Sequence, residues 1–151
     1  MEVEDLAGDT DFGSSLGVEL PTMLALEVQN TISYGAIEPT QNTGNFNPNT
    51  DLINIGNGPI DVEISGNDMS DGFASVIPAT QQRFATSTFD YSTCTSCNTL
   101  TTSGINVEVD LDKPLTDSPP VLDEIYWGIE VPFGTASNPH TGFNTFSIIA
   151  D

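Results

Sequence analysis

Apolar residues alternate with polar ones over runs of roughly four to eight positions, and clusters of Gly, Pro, Asn and Asp break the runs. That period places successive side chains on opposite faces and predicts β-strands. Leu24, Leu26 and Val28 share one face, and Ile32 and Tyr34 follow after a break. Leu52, Ile53 and Ile55 run into Asn57-Gly58, a dipeptide that favours a tight hairpin turn, although Pro59 follows. Ile60, Val62 and Ile64 alternate with Asp61, Glu63 and Ser65, the pattern of a strand with one face wet. Val76 and Ile77 stop at Pro78, and Phe84 and then Phe89 with Tyr91 suggest two further short strands. Ile105, Val107, Val109 and Leu111 alternate with Asn106, Glu108 and Asp110. Ile125, Trp127, Ile129 and Val131 make the most apolar face, and Phe146 and Ile148 close the chain.

No segment carries a helical period. About eight or nine strands with turn signals every 8–12 residues or so predict an all-β fold, an Ig-like or jelly-roll-type antiparallel β-sandwich. The first 20 residues differ. Residues 1–15 are rich in Asp, Glu, Gly and Ser and lack alternation. Leu16, Val18 and Leu20 then alternate with Gly17 and Glu19 until Pro21 ends the run. The expected division is therefore an N-terminal leader or donor strand over residues 1–20 and a sandwich over residues 21–151. The leading strand either caps its own sheet edge or pairs with another chain.

Charge changes the picture of partners. The 151 residues include 22 acidic side chains and two basic ones, Arg83 and Lys113, for a net charge of −20. Nucleic acid is excluded as a partner, because binding it requires a cationic footprint. An anionic membrane surface is disfavoured for the same reason. No run approaches the roughly 20 apolar residues of a membrane span. Cations, above all Ca²⁺, remain as partners, with glycans and further copies of the chain. The plainer reading of the charge is solubility or a salty habitat. The opening Met1-Glu2-Val3-Glu4-Asp5 is acidic where a signal peptide is basic. The chain is then either cytosolic or an exported protein in its mature form, and surfaces rich in Thr, Ser, Asn and Gly favour export to the cell surface.

Cys94-Thr95-Ser96-Cys97 is a CxxC. Tetrahedral zinc needs two more ligands, and the chain offers His140 and carboxylates. A redox pair needs a helix N-terminus to lower a thiol pKa, and no helix is predicted. A small disulfide between Cys94 and Cys97, stapling a loop tip, is the favoured reading. Acidic clusters are the candidate metal ligands. One comprises Asp61, Glu63, Asp68 and Asp71. A second comprises Asp110, Asp112, Asp117, Asp123 and Glu124, and a third Asp9 and Asp11. Ca²⁺ takes about six to eight oxygens, and Asn67, Asp68 and Asp71 surround a Gly-containing turn, but no EF-hand spacing occurs. For any one of these residues a solvated strand face or a turn-forming Asp is the simpler role.

Little points to catalysis. There is one histidine, in the turn sequence Asn138-Pro139-His140-Thr141-Gly142, and no nucleophile elbow or phosphate-binding glycine loop. Carboxylate pairs suited to glycoside hydrolysis will arise by chance in so acidic a chain. Trp127 reads as the core tryptophan of a sandwich strand, and with Tyr126 it makes a thin glycan platform.

Two segments carry a family resemblance. Residues 31–69, TISYGAIEPTQNTGNFNPNTDLINIGNGPIDVEISGNDM, and residues 126–148, YWGIEVPFGTASNPHTGFNTFSI, resemble secreted β-sandwich surface domains of archaea and bacteria. They are also similar to TasA-like and archaeal bundling-pilus subunits, which polymerise by donating a strand to a neighbour. The resemblance implies a sandwich that polymerises with copies of itself, and the alternating Leu16, Val18 and Leu20 of the leader are the candidate donor strand. It carries over no catalytic residue, and the CxxC lies outside it. The functional expectation is a non-enzymatic structural subunit of an extracellular filament, pilus or surface layer, with Ca²⁺ bridging acidic faces. The alternative is a Ca²⁺-dependent adhesin or glycan-binding module.

Overall fold

The computed structural model describes residues 20–29, 31–115 and 121–151, together with the short segments 2–4 and 10–12. The fold is all-β and antiparallel throughout, with no α-helix among the described residues. The strands are β1 (Glu2–Glu4), β2 (Thr10–Phe12), β3 (Leu26–Gln29), β4 (Asn49–Asn54), β5 (Ile60–Gly66), β6 (Met69–Ser70), β7 (Val76–Ile77), β8 (Gln82–Ala85), β9 (Asn98–Thr99), β10 (Ile105–Leu111), β11 (Leu122–Ile129) and β12 (Asn144–Ala150). β1 and β2 form a two-stranded ribbon in the leader, where the absence of alternation predicts no strand.

Two sheets make a sandwich. One has five strands in the order β3-β4-β11-β8-β9, and the other has three in the order β10-β5-β12. β6 and β7 form a separate ribbon. The alternation explains the core. Ile60, Val62 and Ile64 of β5 and Val107, Val109 and Leu111 of β10 are buried against Leu52, Phe84, Ile125 and Trp127 of the larger sheet. Trp127 is fully buried. Its ring lies 5.2 Å from Phe84 and 6.2 Å from Phe146, the latter edge-on, so it links both layers. Its indole N–H donates to Thr50 Oγ1 at 3.0 Å, which satisfies the one polar atom that the burial removes from water.

The strand count exceeds the expected eight or nine because three of the strands, β6, β7 and β9, are only two residues long. Three local expectations change. Asn57-Gly58 does not close a hairpin, because β4 and β5 lie in different sheets and the segment between them crosses the sandwich. The buried Asn54 side chain holds that crossing, donating to the carbonyls of Gly58 and Leu111 at 2.9 and 3.0 Å. Ile32 and Tyr34 join no ladder among the described residues, yet both pack on the core. Phe89 and Tyr91 are loop residues. A Cβ at Gly128 would meet the Phe89 ring at 3.0 Å, so the ring covers the face of β11 where glycine leaves room.

Candidate functional site: two edges of the three-stranded sheet

β5 is the central strand of the smaller sheet, and β10 and β12 flank it. β10 keeps register with β5 at Ile105, Asn106 and Val107, and then the register shifts before Leu111 pairs with Ile60. Asp110 takes a positive φ of 48° inside this bulge. The Asp61 carboxylate holds the distortion. Its Oδ1 accepts the backbone N–H of Val109 at 2.9 Å and of Asp110 at 3.0 Å. Asp61 is therefore buried, at 6% exposure, with its charge met by two donors that the bulge took out of the ladder.

The same bulge gathers acid. Carboxylate oxygens of Asp61, Glu108 and Asp110 all lie within 4.8 Å of one another, with Glu108 and Asp110 exposed. The negative charge of Asp61 raises the Glu108 pKa, helped by some desolvation and by the charges of Asp110 and Asp151. An all-oxygen set of this kind suits a hard cation, and the cluster can hold a metal ion. Asp61 and Asp110 belong to separate acidic clusters in the sequence; the β5–β10 register unites them. Glu108, the third member, reads in sequence only as the wet side of a strand.

The other acidic residues do different work. Asp68 Oδ1 accepts the Ala79 N–H at 2.8 Å and caps the short turn after Pro78. Asp71 accepts the N–H groups of Phe73 and Ser75 and an amide hydrogen of Asn138. These bonds, that from Asn138 first, lower its pKa. Asp123 Oδ1 accepts the Glu124 N–H at 2.8 Å. Asp112 is exposed, and its carbonyl accepts from Asn54. Among the described residues, none of these four joins a three-carboxylate group. Asp117, Leu16 and Val18 lie outside the described residues. Leu20 is described; it precedes the first core strand and is 80% exposed.

The opposite edge has another chemistry. β12 pairs with β5 over seven successive residues, from Asn144 opposite Gly66 to Ala150 opposite Ile60, with no irregularity. Its sequence, NTFSIIA, carries no charge. Phe146 and Ile148 point toward the core but remain only half-buried, whereas their neighbours on β5 are completely enclosed. Among the described residues, β5 is the one strand partner of β12.

Other candidates resolve into structure. Cys94 and Cys97 form a disulfide with Cα atoms 5.7 Å apart. Beside it the Arg83 guanidinium donates to the Tyr91 carbonyl at 2.9 Å and lies 4.5 Å over the Tyr91 ring. One of the two basic side chains is thereby committed to holding a loop. His140 bonds through Nδ1 to the Asn138 carbonyl at 2.8 Å and through Nε2 to Ser75 Oγ at 3.0 Å. A carbonyl only accepts, so Nδ1–H donates to it, and Nε2 shares the other hydrogen bond with the serine hydroxyl. The pair ties the Asp71–Ser75 turn to the 136–140 loop. A groove of about 500 Å³ lies nearby, lined by Tyr34, Ile37, Met69, Ile129, Val131 and His140 among others. Trp127 offers no glycan platform, because its ring is wholly inside the sandwich. Tyr126 donates its hydroxyl to Glu124, which raises the phenol pKa.

No protein-family model matches this chain, and no curated protein is similar to it in sequence. No helix among the described residues is long and apolar enough to cross a membrane.

Proposed function

We propose that the chain is a structural subunit of an extracellular filament, pilus or surface layer, a homopolymer built by donation of the N-terminal strand. The observation that carries this reading is the uneven pair of layers: among the described residues three strands face five, and the core side chains Phe146 and Ile148 of one outer strand are only partly buried. A strand supplied by a neighbour would cover them. Main-chain hydrogen bonds would give affinity, and alternate apolar side chains would give register. Leu16, Val18 and Leu20 have the required alternation. A head-to-tail contact of this kind does not close on itself and propagates as a filament.

Stacking chains of charge −20 is repulsive. Ca²⁺ at Asp61, Glu108 and Asp110 would relieve that repulsion. Three carboxylates fall short of a full calcium shell unless water or a neighbour completes it, which suits a bridge between subunits. The disulfide and the near absence of lysine favour an exported chain.

The test is assembly of the purified chain with and without residues 1–20, viewed by negative-stain electron microscopy in Ca²⁺ and in chelator. Regular polymers are expected from the full chain in Ca²⁺ and dispersed particles from the truncated one. Polymers that form equally well after truncation would refute strand donation from this end.

A further inference from the structure

Among the described residues the smaller sheet has two edges and the larger sheet two more, and they are not equally able to accept a strand. β9 is two residues long, too short to register a partner. β3 is four residues long and includes Glu27. β10 is long, but its bulge, its Asp110 backbone and the exposed carboxylates of Glu108 and Asp110 are the devices that keep strands from adding to an edge. β12 has none of them. It is seven residues long, uncharged and regular.

Its backbone phase is also fixed. Asn67 N–H donates to the Phe143 carbonyl at 3.1 Å, so residue 143 bonds toward β5. Antiparallel ladders alternate with period two. Asn144, Phe146, Ile148 and Ala150 therefore turn their N–H and C=O groups away from β5, to the side with no strand among the described residues. Phe146 and Ile148 are also the half-buried core residues. The positions without an outer strand partner among the described residues are thus those whose side chains are only partly covered. By contrast Val107, Val109 and Leu111 of β10, also on an edge, are buried.

We infer that the β12 edge is the acceptor for residues 16–20 of a second copy of this chain. The inference rests on the polymer reading and adds to it the place where the strand docks. Five extended residues span about 17 Å, within the roughly 23 Å of a seven-residue strand. Leu16, Val18 and Leu20 then lie beside Phe146 and Ile148 and continue the apolar face, while Gly17 and Glu19 face outward. Pro21, which lacks an N–H, ends the ladder. The acidic donor meets a strand with no charge of its own, where approach between two chains of −20 is least opposed. The result is a four-stranded layer over the five-stranded one.

Cross-linking in full-length chains tests this. Glu19→Cys chains are mixed with Ser147→Cys chains and, separately, with Glu108→Cys chains, under assembly conditions, with a short bifunctional thiol reagent. Ser147 and Glu108 are exposed, Glu19 faces outward in the proposed docking, and Cys94 and Cys97 are occupied by their disulfide. Covalent dimers are expected with Ser147→Cys at no less than tenfold the yield with Glu108→Cys. Polymers that form while the Ser147→Cys mixture gives no more dimer than the Glu108→Cys mixture would overturn the β12 assignment and leave the polymer reading standing. Chains that neither assemble nor cross-link would overturn both. Cross-linking confined to single chains carrying Glu19→Cys and Ser147→Cys together would show that the strand caps its own sheet and would overturn docking in trans.

Discussion

β10 and β12 flank the same central strand, have the same length and alternate in the same way, yet they finish the sheet differently. β10 is sealed. Its inward Val107, Val109 and Leu111 are buried and Ile105 partly so, a buried carboxylate occupies two of its amides, and its wet face is acidic. β12 has no outer strand among the described residues, a regular uncharged ladder and an apolar face that is only partly buried. An edge strand exposes a row of unpaired backbone groups whatever its sequence. What separates a finished edge from an available one is a single buried aspartate on the neighbouring strand and the charges beside it.

The comparison breaks most severely at Asp61. Asp61→Ala leaves the amides of Val109 and Asp110 without their acceptor in a buried place, and a loss of about 2–3 kcal/mol is expected. Asp61→Asn keeps an acceptor oxygen and should lose less. Chemical denaturation of the two variants measures the difference; equal losses would mean that the carboxylate is not what holds the bulge. A smaller effect separates the two apolar faces. Val109→Ala should cost about 2 kcal/mol in dispersed chains, and Ile148→Ala, although it removes more atoms, about 1 kcal/mol, because its site is only partly buried. Assembly should reverse that order by enclosing Ile148, which thermal unfolding of dispersed and assembled material would reveal.

The smallest effect is electrostatic. The folded chain binds the Glu108 proton more tightly than the unfolded chain, because Asp61 raises its pKa. The penalty for ionising it is fully present above the folded pKa and gone below the ordinary glutamate value. Stability attributable to Glu108 should therefore rise as pH falls through that window. Asp71 acts in the opposite sense: its lowered pKa gives stability that is lost as pH falls through the folded value. The difference between wild type and Glu108→Gln isolates the first contribution, and a difference that does not change with pH would refute it. Ca²⁺ at the cluster should stabilise wild type more than Glu108→Gln.

Much of the fold was legible because burial follows period two. Ile60, Val62 and Ile64 announce β5, and Ile125, Trp127 and Ile129 announce β11, whatever their partners. Pairing is less legible. Asn57-Gly58 carries a hairpin signal, but Asn54 and Pro59 lie beside it in a segment that crosses between sheets. The acidic site was half legible. Residue counts pick out Asp61 and Asp110, but only the shifted register brings them to Glu108. Asp68, Asp71 and Asp123 look alike in sequence and serve as backbone acceptors, since a short carboxylate near a turn finds an N–H before it finds a metal. The open edge was not legible at all, because nothing in NTFSIIA says which strands lie beside it.

The most direct test of the open edge is backbone amide exchange, residue by residue, on the full chain before and after assembly. The Phe146 and Ile148 amides should exchange quickly in dispersed chains and become strongly protected in the assembled form, with the Val109 and Asp110 amides protected in both. Assembly that leaves Phe146 and Ile148 unprotected, or that adds its new protection on β10, would contradict the account.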